Sequence, residues 1–328
     1  MTRVAVLDDY QGVARSIVPW PDGVDVTAFT DHAPDEAEVV RRLQGFDVVV
    51  AMRERTAFPR SVLERLPDLK LLVTTGPRNA AIDVAAANER GVTVSGTWGI
   101  VSNTVELTWA LMLAVVRGLP DEVAAVRSGG WQQGLGRDLN GKTLGVLGVG
   151  NIGSQVAHIA QAFGMGVIAW SQNLTDERAE GVGAKRVEKE DLFRRADIVT
   201  VHLVLSDRTR GLIGRDELAL MKPTAFLINT SRGAVVDEPA LYEALRAGRL
   251  AGAGLDVFEQ EPIADDNPLL QMENVIVTPH TAVYSRKAIE LNRTQPFDEV
   301  ARVLGGQYPR GLVNRGLKET LKLREPVA

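Results

Sequence analysis

Hydrophobic and polar positions alternate along this chain in a way that separates strands from helices. Short β-branched runs bounded by turn residues predict buried strands at 3–8, 24–30, 47–52, 69–75 and 92–95. Helical stretches over 34–44 and 83–90 lie between them. Such alternation implies a parallel sheet with helices on both faces. Near residue 100 the pattern changes: an apolar run predicts a long helix over 102–118, followed by a Gly-rich loop at 128–137. A second series of strands follows at 143–148, 166–170, 197–203, 224–229, 252–258 and 274–278, then a helix over 286–304 and an irregular tail.

This order predicts an α/β protein with two Rossmann-like, doubly wound parallel-sheet domains. The tail is expected to pack back on the first array. A continuous dinucleotide-binding domain, 101–287, is then inserted into a discontinuous, flavodoxin-like substrate domain made of 1–100 plus 288–328. A length of 328 residues suits two domains.

Composition narrows the classes. A net charge of −5 argues against nucleic-acid and anionic-membrane surfaces. The chain has no cysteine, which excludes disulfides, thiolate ligands and a Cys nucleophile and fits a reducing cytoplasm. Four scattered histidines give no metal-ligand spacing, so no metal is expected. The first residues enter a strand pattern at once, leaving no room for a signal peptide, and no apolar run approaches the ~18 residues of a membrane span.

The densest information lies at 143–170. A strand runs directly into Gly148-Val-Gly150-Asn151-Ile152-Gly153, and a helix with one apolar face follows. In this context Gly148 permits a tight turn, Gly150 lets the backbone approach a pyrophosphate, and Gly153 lets the helix pack on the strand. The helix N-terminus then suits phosphate. About 20 residues on, an acid would take the ribose hydroxyls of NAD. The chain instead reads Trp170-Ser171-Gln172-Asn173, with Arg178 as the nearest arginine, so the motif leaves NAD and NADP both open.

Three further segments are distinctive: Asn229-Thr230-Ser-Arg232-Gly, Gly254-Leu-Asp256-Val-Phe-Glu-Gln-Glu261-Pro, and Thr278-Pro-His280. In this order, after the Gly-rich turn, they resemble the D-isomer-specific 2-hydroxyacid dehydrogenases over nearly the whole chain. The resemblance implies transfer of a hydride between NAD(P)H and a 2-keto or D-2-hydroxy acid. It makes Arg232 the substrate-orienting cation, His280 the acid/base and Glu261 its partner. Asp256 and the backbone near Thr230, beside Arg232, would hold the nicotinamide carboxamide, and Thr75-Gly76 the substrate carboxylate. It also implies a homodimer formed through helix 102–118, which is apolar enough to need both faces buried.

The chain departs from the family at two further places, of which the first bears on the substrate. The loop Thr74-Thr75-Gly76-Pro77-Arg78-Asn79 replaces a commoner Gly-Ala-Gly type, and His202-Leu-Val204 lacks a proline frequent in the family. Arg78 and Asn79 join the substrate candidates. Arg53, Arg55 and Arg60, with Arg78, are either a phosphate-holding group or ordinary surface charges. His32 and His158 read as polar-turn and exposed residues, and His202 as structural.

The chemistry agrees independently. Keto-acid reduction needs a cation of fixed geometry, which guanidinium supplies with two parallel donors. It needs a proton donor working near neutrality, which is histidine, and a carboxylate beside that histidine favours the protonated ring. Two other readings use the same fold. A dinucleotide-sensing binding protein would need no proton donor, and formate-type or phosphite-type dehydrogenases include enzymes that pair the histidine with glutamine rather than glutamate.

Overall fold

The computed structural model describes residues 1–317; residues 318–328, the end of the expected substrate domain, lie outside the described residues. The chain divides into two compact units. One is continuous, Val101–Tyr284; the other joins Met1–Ile100 to the segment beginning at Ser285.

In the discontinuous unit the elements are β1 (Thr2–Val6), β2 (Val24–Ala28), α1 (Glu36–Leu43), β3 (Val48–Ala51), α2 (Arg60–Leu63), β4 (Leu71–Thr74), α3 (Val84–Glu89) and β5 (Thr93–Gly96). The strands pair in the order β2-β1-β3-β4-β5, all parallel. That is the flavodoxin-like order of a doubly wound sheet. Every residue of β3, β4 and β5 is buried, which explains why β3 and β4 read as apolar runs rather than alternating ones. Asp35 opens α1 by accepting the Glu38 N–H, and Val39, Val40 and Leu43 turn into the core.

The continuous unit begins with α4 (Ser102–Val116) and α5 (Leu119–Arg127). It continues through β6 (Thr143–Leu147), α6 (Asn151–Ala162), β7 (Gly166–Trp170), α7 (Asp176–Glu180), β8 (Lys185–Arg186), α8 (Lys189–Arg195) and β9 (Ile198–Val201). It closes with α9 (Arg215–Leu220), β10 (Phe226–Asn229), α10 (Glu238–Arg246), β11 (Gly252–Leu255) and β12 (Val275–Val277). The parallel order is β12-β11-β10-β9-β6-β7-β8, the dinucleotide-binding order extended by one strand, with its switch point between β6 and β9. Leu147, Val199, Val201, Leu227 and Leu255 lie in the core on one face; Leu144, Val146 and Ile228 pack with α4 and α6 on the other.

The last helix, α11 (Arg286–Leu304), returns the chain to the first unit. Ser285 caps it by accepting the Ala288 N–H, so the unit boundary falls three residues before the expected 287/288. Beyond α11, Val313 N donates to Val94 O, and the Asn314 amide bonds the backbone of both Val92 and Val94, tying this segment to β5.

Three local differences have physical reasons. The helix expected over 102–118 stops at Val116, because Gly118 takes a left-handed φ of +59° and starts α5, which the pattern does not predict. The strand expected over 252–258 ends at Leu255; the Asp256 N–H still bonds the Asn229 carbonyl, and beyond it the chain turns away while the Asp256 side chain binds a neighbouring loop. The edge strand β8 has two residues, too few for periodicity to register. No helix among the described residues is long and apolar enough to cross a membrane.

Candidate active site

The Gly-rich turn joins β6 to α6 at the switch point. Gly148 has φ +97°, and a side chain there would meet the His202 carbonyl oxygen at 2.6 Å. A side chain at Gly153 would collide with the Gly148 carbonyl. Both glycines are therefore demanded by the protein itself. Gly150 differs: a Cβ there meets nothing within 4 Å. This open space, beside the unpaired first-turn N–H groups of α6 at Asn151, Ile152 and Gly153, fits a dinucleotide pyrophosphate. Ser171 and Gln172 follow the end of β7, the neighbouring strand.

Arg232, Glu261 and His280 follow the C-terminal ends of β10, β11 and β12, three consecutive parallel strands. Each turn is fixed by named contacts. Asn229, 1% exposed, accepts the Ser231 N–H and hydroxyl on Oδ1 and donates from Nδ2 to the Arg232 carbonyl. It thereby folds the turn that presents Arg232. Gly233 lies directly against the backbone of Phe258, where a Cβ could not fit. Phe258 N–H donates to Glu261 Oε1 at 3.0 Å, and Glu261 Oε2 lies 2.5 Å from His280 Nδ1. The Arg232 turn, the Glu261 turn and the His280 ring are thus linked in one series of contacts.

His280 itself has φ +52°, a left-handed conformation that costs a non-glycine residue about 1–2 kcal/mol. Asp256 holds it there. This buried carboxylate accepts Thr278 Oγ1 at 2.6 Å and Thr281 N at 2.8 Å on Oδ1, and Ala282 N at 2.9 Å on Oδ2. The loop is pinned on both sides of the histidine. Among the described residues Oδ2 accepts this one bond, which leaves a lone pair for a further donor. Thr230 Oγ1 pairs with Thr108 Oγ1 of α4 at 2.8 Å, so its side chain ties the turn to the helix.

The expected substrate loop lies in the other unit, and most of its donors are already engaged. Thr75 N donates to Ala51 O, and Gly76 N to Thr97 Oγ1. Asn79 spends its amide N–H groups on Arg53 O and Thr74 Oγ1, and its Oδ1 accepts Ala81 N. These residues hold the loop rather than offer free donors to an acid. Arg78 is exposed. Arg53, with φ +53°, folds its guanidinium against Gly76, whose φ of +100° suits glycine. Arg60 is committed to Glu89, and Arg55 lies over the Tyr10 ring.

The remaining histidines are placed by their surroundings. His158 is exposed. His32 Nδ1 lies 3.0 Å from Asp8 Oδ1. Burial pushes the His202 imidazole down to about 3, so it is neutral; Nε2 pairs with Thr200 Oγ1 at 2.9 Å, and Nδ1 is buried without a partner among the described residues.

Residues that sequence reasoning misses are Asn229, Gly233 and Thr108. Asn229 carries a usable signal, since an Asn two residues before a backbone donor favours an Asx turn. Gly233 and Thr108 act through partners distant in sequence.

Residues 109–282 match the family described as D-isomer specific 2-hydroxyacid dehydrogenase, NAD binding domain. The chain is 41% identical to D-3-phosphoglycerate dehydrogenase of Methanocaldococcus jannaschii, over 96% of this chain and 60% of that protein. It is 41% identical to glyoxylate reductase of Aeropyrum pernix, over 81% of each. Among solved structures, a phosphoglycerate oxidoreductase from Vibrio cholerae superposes with a TM-score of 0.88 at 37% identity, covering 93% of this chain and 99% of that one. The chain belongs to the D-isomer specific 2-hydroxyacid dehydrogenase family. It spans little more than half of the M. jannaschii relative's length.

Proposed function

We propose that this protein is a nicotinamide-dinucleotide-dependent oxidoreductase that interconverts a 2-keto acid and its D-2-hydroxy acid. The observation that carries this reading is the His280–Glu261 pair at 2.5 Å, fixed beside the Arg232 turn at the edge of a dinucleotide-type sheet. Gly150 and the first turn of α6 would hold the pyrophosphate, Ser171 and Gln172 the adenosine ribose, and the backbone at Thr230 with Asp256 Oδ2 the carboxamide. When bound, NAD or NADP supplies or accepts the hydride at C2.

The chain's own residues do the rest. Glu261 occupies His280 Nδ1, which leaves Nε2 to give a proton to the carbonyl oxygen during reduction and to take it back during oxidation. The other oxygen of the same carboxylate accepts the Phe258 N–H, so the group that orients the ring is itself held in place. Arg232 orients the acid through its two-donor fork, which fixes a planar carboxylate as a point charge cannot. Arg78 supplies the exposed cation of the substrate loop, and Thr75, Gly76 and Asn79 act by holding that loop in shape.

The same reading includes a homodimer. On α4, Leu107, Leu113 and Ala114 stay only partly buried and Ala110 exposed, and the following arm exposes Trp131 (73%) and Leu135 (99%). Covering this apolar surface with a second copy is the simplest way to remove it from water. Sedimentation at micromolar concentration should show a dimer.

The function is tested by following oxidation of NADH and NADPH with a panel of 2-keto acids. Turnover of at least one supports the enzyme. Cofactor binding with no turnover of any would favour a dinucleotide-sensing role instead.

A further inference from the structure

The end of β7 departs from the usual dinucleotide pattern in a way that the structure makes specific. After Trp170 the chain turns through Ser171–Leu174, closed by Leu174 N–H to the Ser171 carbonyl at 3.0 Å. Thr175 then caps the short helix α7 by accepting the Arg178 N–H, which fixes the backbone of Arg178. From there Arg178 Nη2 reaches back to the carbonyl oxygen of Val149 at 3.4 Å. Val149 lies inside the Gly-rich turn, between Gly148 and Gly150. The guanidinium therefore bridges the loop after β6 and the loop after β7.

Those two loops flank the position at which this kind of sheet receives the adenosine ribose, where an acid near the end of the second strand ordinarily binds the ribose hydroxyls. Here Ser171 and Gln172 stand near that end and no carboxylate does, while a cation has been brought to the site from α7. A carboxylate there would repel a 2′-phosphate; a guanidinium offers it a pair of charge-assisted donors. The bond to Val149 is long and the arginine is exposed, so the guanidinium can turn to a ligand without stranding a buried donor. The neighbouring acid Asp176 faces Arg186, with Nη1 at 3.8 Å.

We propose that Arg178 grips the 2′-phosphate of NADP(H), so that the protein takes the phosphorylated dinucleotide at least as tightly as NAD(H). This rests on the reading of residues 148–153 as a dinucleotide site and adds which dinucleotide that site recognises.

The test is calorimetric titration of the purified protein with NADP+, NAD+ and 2′,5′-ADP, for wild type, Arg178→Ala and Arg178→Lys. Arg178→Ala should weaken NADP+ and 2′,5′-ADP by about 10–100-fold, the worth of a charge-assisted contact, and leave NAD+ nearly unchanged. Arg178→Lys should keep part of the NADP+ affinity, because charge survives while the fork does not. Equal losses for NADP+ and NAD+ would overturn the proposal, since Arg178 would then serve the pyrophosphate or the turn. Unchanged NADP+ affinity in Arg178→Ala, or a wild type that binds NAD+ far more tightly than NADP+, would overturn it too. A wild type that binds neither dinucleotide would instead overturn the reading of the Gly-rich turn, and this proposal with it.

Discussion

His280 Nδ1 and Glu261 Oε2 stand 2.5 Å apart, and the other oxygen of the same carboxylate accepts the Phe258 N–H at 3.0 Å. The acid is held by its own turn and holds the ring in consequence. Glu261→Gln keeps the shape and removes the anion. An amide can turn its N–H2 toward Nδ1, so the ring loses its fixed acceptor and turnover should fall while cofactor affinity stays close to that of the wild type. Steady-state kinetics paired with a cofactor titration check this; unchanged turnover would remove Glu261 from the role of positioning the ring.

Two glycines near the site should respond in opposite ways. A methyl at Gly233 collides with the Phe258 backbone, whereas one at Gly150 meets open space. Gly233→Ala should cost about 1–3 kcal/mol, as overpacking does, and lower turnover by pushing the Arg232 and Glu261 turns apart. Gly150→Asp should leave the melting temperature nearly unchanged yet abolish dinucleotide binding, because its carboxylate would face the pyrophosphate. Thermal melts paired with cofactor titrations separate the two. Unchanged cofactor affinity in folded Gly150→Asp would show that the site lies elsewhere.

His202 should make stability pH-dependent. Its folded-state value of about 3 lies below the ordinary 6.5 because of burial. Between these values the unfolded chain binds the proton and the folded one does not, so stability is present above about pH 6.5 and falls as pH drops toward 3. From pH 7 to pH 5 this residue alone should remove about 2 kcal/mol. Urea unfolding at both pH values should show a smaller difference in His202→Gln than in wild type.

Much of the fold and of the site is legible in the amino-acid sequence. Both sheets announce themselves because buried parallel strands such as Val48–Ala51 and Phe226–Asn229 are continuous apolar runs. The Gly-rich turn is legible because a strand and a helix flank it at fixed spacing. Contacts between distant segments are what pattern cannot supply. Nothing local marks Gly233 as packed on Phe258, or Asp256 as the anchor of residues 278–282. The donors at Thr75, Gly76 and Asn79 read as substrate contacts, yet their partners, Thr97, Ala51 and Arg53 among them, become visible only once β3, β4 and β5 are side by side. Arg178 is too far along the chain from Ser171 to be joined to the ribose position until α7 turns it back toward Val149.

The central claim is that His280 moves the proton as hydride moves at C2. Single-turnover reduction of a 2-keto acid by the His280→Ala variant, preloaded with reduced cofactor, tests it most directly. General acid catalysis contributes about 10²–10⁴-fold, so the observed rate of cofactor oxidation should fall by that much while cofactor affinity stays close to that of the wild type. Cofactor oxidation at nearly the wild-type rate in His280→Ala would contradict the mechanism.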